Sequence, residues 1–239
     1  MASTITSRPI QKRAEDYFFL AMALLALAMV FIGFARTYYL AGMFRAKLPS
    51  PIVHIHGALF SLWIVLLIAQ VALVSANRVD LHKRLGILGI GVAALMVPMG
   101  LAVLVDAVRR HAVFDMPLEV LFGEDVLQLS AFALLAFFGL RARRNGPAHK
   151  RLMILATVAL MGPAVSRWPF PFVFSSAFVF FATIDVFLVA MVAFDLWSRR
   201  KLHPATIGGS LVILLMQILL IRIGHIPFWH QVTTRIQHF

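Results

Sequence analysis

Residues 52–75 read IVHIHGALFSLWIVLLIAQVALVS and contain no Asp, Glu, Lys or Arg. As a helix rising 1.5 Å per residue, this stretch is about 36 Å long, enough to cross the roughly 30 Å hydrocarbon core of a bilayer. Ser50-Pro51 before it is a helix-start signature, with Ser as N-cap and Pro at the first helical position. Similar apolar runs recur along the whole chain. Of 239 residues, 61% are hydrophobic and 13% charged, about half the charged share of an average soluble domain. A water-soluble globule of this size could not hide that much apolar surface. The reading is an all-α, polytopic membrane helix bundle of about seven spans, at 17–40, 52–75, 85–107, 123–141, 149–167, 172–197 and 205–223. A segment 1–16 precedes a single transmembrane domain (17–224), and 225–239 form a tail.

Composition excludes several functions. There is no cysteine, so disulfides, iron–sulfur clusters, thiolate zinc sites, catalytic thiols and c-type haem attachment are ruled out. The five lysines lie near span ends or in loops, which argues against a retinal Schiff base. The net charge of +12 does not point to nucleic acid, because the basic residues form short clusters between apolar runs. With the N-terminus inside, fourteen Lys and Arg fall on the inner side and eight on the outer. The positive-inside rule then places the N-terminus in the cytoplasm and the tail outside.

Asp80 is a candidate cap for the third span. Asn145-Gly146-Pro147 breaks the chain before the fifth, and Trp168-Pro169-Phe170-Pro171 ends the fifth and opens the sixth. An internal repeat links two of these starts. His82-Lys83-Arg84-Leu85-Gly86-Ile87-Leu88 matches His149-Lys150-Arg151-Leu152-Met153-Ile154-Leu155 at six of seven positions, and Ala94-Leu95-Met96 recurs as Ala159-Leu160-Met161. The two copies open spans on the same side, so the repeat points to duplicated hairpins, spans two–three and four–five.

His82 and His149 each fall in the first turn of a helix. The positive end of the helix dipole and the flanking cations disfavour imidazolium, leaving neutral rings of the kind that bind a metal or haem iron. They are either two axial haem ligands or interfacial residues bonded to head groups and loop carbonyls. His54 and His56 open the second span. Two positions apart on a helix, they point about 200° from each other. His56 shares a stripe with Phe60, Trp63, Leu67 and Gln70 and faces the bundle, as a ligand or as a hydrogen-bonded packing residue. On the outer side, His54, His56, His225 and His230, with His111, Glu124 and Asp125 nearby, form a weaker candidate zinc set. Glu124 and Asp125 have a simpler reading as first-turn acids of the fourth span.

Asp185 stands near the middle of the sixth span, where an Asp costs roughly 2.5–3.5 kcal/mol. It is a functional group or a buried hydrogen-bond partner, with Gln70 and Gln217 as candidate partners. Arg167 ends the fifth span and suits an outer acid, a haem propionate or a lipid phosphate.

The stretch 54–167 resembles a broad family of bacterial multi-pass membrane proteins of no assigned activity. Their pattern is a His near a span start, a Gln late in that span, His-Arg/Lys-x-Leu-Gly opening the next, then His-Arg/Lys-x-x-Met and a downstream Arg. The matching positions are His54 or His56, Gln70, His82-Lys83-Arg84-Leu85-Gly86, His149-Lys150-Arg151-Leu152-Met153 and Arg167. The paired histidines are also similar to cytochrome b561-type proteins, which hold two b haems between histidines of a central four-helix bundle. Those ligands sit inside helices, whereas His82 and His149 sit at helix starts. The expectation is a bacterial inner-membrane, bis-histidine b-type haem protein for transmembrane or quinone-linked electron transfer. In it His82 and His149 bind an inner haem, His56 with an outer histidine binds a second, Arg167 suits a propionate, and a quinone or another membrane redox protein is the partner. The alternatives are an outer-side zinc hydrolase, or an accessory subunit or small carrier using Asp185 and Gln70.

Overall fold

The structure is a computed structural model that describes residues 8–46, 50–110, 117–223 and 226–238. Among these, all regular structure is helical. The helices are α1 (Arg8–Phe34), α2 (Pro51–Ser75), α3 (Val79–Arg109), α4 (Leu118–Arg141), α5 (Gly146–Val158), α6 (Gly162–Val165), α7 (Ala177–Arg199), α8 (Pro204–Ile223) and α9 (Pro227–Gln237). Six of them are long and apolar enough to cross a membrane. Ile87, Leu95, Phe178 and Val189 are each more than half exposed. In water such a surface would aggregate; against lipid tails it costs nothing. The chain is a multi-pass integral membrane protein.

The fifth span differs from expectation. Instead of one helix over 149–167, α5 stops at Val158 and one turn, α6, follows. Thirteen residues of helix reach only about 20 Å. Leu160 and Met161 close the end of α5 with tighter bonds to the carbonyls three residues back. Pro163 then lacks the N–H that would continue the ladder. The same residue type does not break α3, where Pro98 lies inside a continuous 31-residue helix. The difference is Gly162: it precedes Pro163 where Val97 precedes Pro98, and glycine is the weaker helix former.

The interrupted segment still travels the depth of the bundle. At its start, Lys150 Nζ pairs with Glu15 at 2.7 Å. At its end, Gly33 backs directly onto the Ala164 carbonyl, and Trp168 Nε1 donates to Met29 O at 3.1 Å. Glu15 and Gly33 lie eighteen residues apart on α1, about 27 Å along its axis. The segment therefore runs beside α1 from one end of the bundle to the other. The end where α1 begins is here called proximal, the other distal.

Other boundaries moved for local reasons. The N-cap of α3 is Arg78, so Asp80 lies in the first turn and is not the cap. Helix α4 starts at Leu118 rather than 123, which puts Glu124 and Asp125 in its second turn and removes the first-turn reading. Helix α7 starts at Ala177 rather than 172, because Pro171–Phe174 form a 3-10 turn and Ser176 Oγ caps the helix by accepting from Val179 N at 3.2 Å. Much of the stretch read as a tail is helix α9, which packs on the distal ends of α4 and α3, with Trp229 against Phe122.

Helix α2 pairs closely with α3, and α4 with α5, as two helical hairpins. Helix α5 is the central element, in contact with α1, α4, α7 and α8, and its Leu155, Ala156 and Val158 are fully buried.

Candidate functional site

The residues singled out in the sequence gather at opposite ends of the bundle. At the proximal end, the first turns of α3 and α5 bring the imidazoles of His82 and His149 together. Their ring centroids are 6.2 Å apart and the planes cross at 83°. His149 Nδ1 lies 2.8 Å from the Gly139 carbonyl on α4. A carbonyl only accepts, so Nδ1 carries the proton and Nε2 keeps its lone pair. His82 Nδ1 is buried with no hydrogen-bond partner, as is Gln70 Oε1 on α2. The Gln70 amide lies against Gly86, one turn beyond His82 on the same face of α3. Helix α3 packs chiefly on α2 and α4, and α5 on α4 and α8, so the two rings reach toward each other from helices that are not close-packed neighbours.

Beside this pair lies a charged network that the sequence reading missed. Arg151 and Asp195 are both fully buried and form an ion pair. Arg151 Nε donates to Asp195 Oδ1 at 3.0 Å and Nη1 to the Pro147 carbonyl at 2.8 Å. The second carboxylate oxygen accepts from Thr206 Oγ1 at 2.6 Å and from the His203 backbone N–H at 2.9 Å. His203, in the turn before α8, accepts from Ala205 N through Nδ1 at 3.0 Å. Burial, then the cations Arg151 and Arg199, push its pKa below the usual histidine value. The network ties α5 to α7 and α8. Its only sequence signal was an acid in the last two turns of the sixth span.

At the distal end, two cavities share a wall. One, of about 360 Å³, lies among α1, α2, α3, α4 and the α5–α6 break. The other, of about 930 Å³, lies among α4, α6, α7 and α8. Asp125, Gln128 and Arg167 line both. His56 faces the smaller cavity beside Phe60, with ring centroids 4.1 Å apart, and its Nδ1 is buried without a partner. Gln128 is 5% exposed and its Oε1 is likewise unpartnered. The end of α1 widens into a π-helix over Ala35–Tyr39, which carries Tyr38 and Tyr39 to the rim. Tyr39 Oη and Ser61 Oγ share a hydrogen bond of 2.7 Å. Arg167 donates to the Pro163 carbonyl and lies over the Phe34 ring at 5.0 Å. It is thus at the end of the bundle opposite the His82–His149 pair and at the level of His56.

The remaining candidates are dispersed. His54 is exposed and turned toward Tyr38, away from His56, as the two-residue offset on a regular helix requires. His230 is exposed on α9. His225 and His111 lie outside the described residues. Among the described residues, no three His, Asp or Glu side chains form a metal-binding group. Asp185 on α7 accepts from Gln217 Nε2 on α8 at 2.8 Å, and Gln70 faces α3 at the proximal end instead.

No protein-family model, curated protein or solved structure matches the chain.

Proposed function

We propose that this membrane protein serves transmembrane or quinone-linked electron transfer through a b-type haem that His82 and His149 would hold at its proximal end. The observation that carries the reading is the meeting of two imidazoles from equivalent helix starts. The two rings stand 6.2 Å apart by centroid, and neutral imidazoles are common iron and metal ligands. The donor chemistry fits. The Gly139 carbonyl orients His149 and raises the basicity of its free nitrogen, as outer partners of metal-bound histidines do. His82 has a buried nitrogen with no other use. Haem held there would supply reversible one-electron chemistry, with its potential set by its ligands and by burial.

The chain's own residues do the positioning. Asn145 caps α5 by accepting from Ala148 N at 3.3 Å, which fixes the turn that carries His149. The Arg151–Asp195 pair holds the same turn against α7. Gln70 offers a hydrogen-bonding amide at the margin of the pair. Among the described residues, His56 is the lone histidine lining the distal cavity, so the reading assigns one haem and not two. The charge distribution favours an inner-membrane orientation with the proximal end cytoplasmic.

The test is the visible spectrum of protein purified from cells supplied with haem. A Soret band that disappears in His82→Ala and in His149→Ala, while far-ultraviolet circular dichroism stays helical, is the expected outcome. A colourless wild-type protein overturns the assignment.

A further inference from the structure

The distal cavity holds a different chemistry. It is walled by Phe34, Tyr38, Phe60 and Trp63, so an apolar ring fits its interior. Trp63 is itself tied down, donating from Nε1 to Thr157 Oγ1 at 3.0 Å. His56 and Gln128 line the same cavity, and His56 Nδ1 and Gln128 Oε1 are both buried and both unpartnered. Leaving a buried polar atom unpaired is costly, and cores normally avoid it. A carbonyl-type oxygen such as Gln128 Oε1 is satisfied only by a donor, and a neutral imidazole nitrogen is also able to accept.

The backbone around Gln128 is shaped to admit the amide. Gly162, at the start of α6, faces it so closely that a Cβ there would overlap Oε1. The break in α5, which removes helix from this level, and the π-helical widening of α1 both border the same space. Irregular helix at functional positions is common in membrane proteins, where it survives only when it lines a cavity or is buried in protein.

We infer that the smaller distal cavity is a binding site for a membrane-soluble aromatic alcohol, a flat apolar ring whose hydroxyl groups donate to Gln128 Oε1 and His56 Nδ1. A hydroquinone has this chemistry; so, without the flat ring, does a lipid alcohol. The four aromatic side chains select the ring. The site gives the small partner of the electron-transfer reading a location, yet the cavity argument does not use the histidine pair. A protein that binds hydroquinone but is colourless contradicts the haem and leaves this site standing.

The test is calorimetric titration of the full chain in detergent micelles with trimethylhydroquinone, its dimethyl ether and 1-monooleoylglycerol. Hydroquinone is expected to bind at least about tenfold more tightly than the ether, because the ether leaves both acceptors unpaired. In Gln128→Met, which keeps the volume and removes the acceptor, that preference falls toward one while the thermal midpoint stays level or rises. Equal binding of hydroquinone and ether to the wild type overturns the proposal. So does a preference retained in Gln128→Met, or a fall in that variant's thermal midpoint, which makes the amide structural. Monooleoylglycerol displacing hydroquinone at equal concentration overturns the choice of an aromatic ligand.

Discussion

His82-Lys83-Arg84 and His149-Lys150-Arg151 are the same tripeptide in two environments. In the first, Lys83 and Arg84 are exposed, as positive-inside flanks should be. In the second, successive 100° steps around the central helix α5 send three side chains to different neighbours: His149 to Gly139 and His82, Lys150 to Glu15, Arg151 to Asp195. Arg151 is fully buried among them. Removing one member of such a pair strands the other charge, which costs about 3–5 kcal/mol, whereas replacing both with apolar residues of similar size is often nearly neutral. Arg151→Met is therefore expected to lower stability by that amount in a denaturation titration, and Arg151→Met with Asp195→Leu to recover most of it. A double variant no better than the single one contradicts this view of the network. Reading the sequence picked out Asp185 because it sits mid-span, but not Asp195, because an acid near a helix end looks like a solvated residue. Burial by four neighbouring helices is a tertiary fact that hydropathy along one segment does not carry.

At the scale of elements, apolar runs located every long helix, since length and composition alone determine which segments dissolve in lipid. The interruption of the fifth was written less plainly. Ala94-Leu95-Met96-Val97-Pro98 and Ala159-Leu160-Met161-Gly162-Pro163 extend the internal repeat to a shared proline, and the single change of Val to Gly accompanies the break. The break matters because α6 packs on α1 through Gly33, where a side chain would strike the Ala164 backbone. Gly33→Ala is expected to destabilise by about 1–3 kcal/mol through overpacking. Gly42→Ala, with nothing within 4 Å of the new methyl, serves as the control and leaves the unfolding midpoint nearly unchanged. Equal effects from the two would mean that α6 does not seat against α1. The early start of α4 was hidden because Glu119, Glu124 and Asp125 interrupt its hydrophobicity. The two later acids belong to the helix interior and line the larger distal cavity.

Across the whole molecule, the candidate residues separate into a proximal pair of imidazoles and a distal pair of cavities. Along α2, His56 and Gln70 mark the two levels, about 21 Å apart by helical rise. Arg167 lies at the level of His56 and away from His82 and His149, a sorting that the order of span starts and ends already implies. That sorting depends on the interrupted segment 146–167 crossing the bilayer. Without that crossing the loops on either side of it would share one face. The absence of cysteine allows a direct test by single-cysteine labelling. Asn145→Cys precedes α5 and Ser175→Cys follows α6, at positions that are both exposed. With a membrane-impermeant maleimide on intact cells, Ser175→Cys is expected to label and Asn145→Cys to label only after permeabilisation; labelling of both, or of neither, on intact cells would place the two loops on one side and contradict the seven-crossing arrangement on which both sites depend.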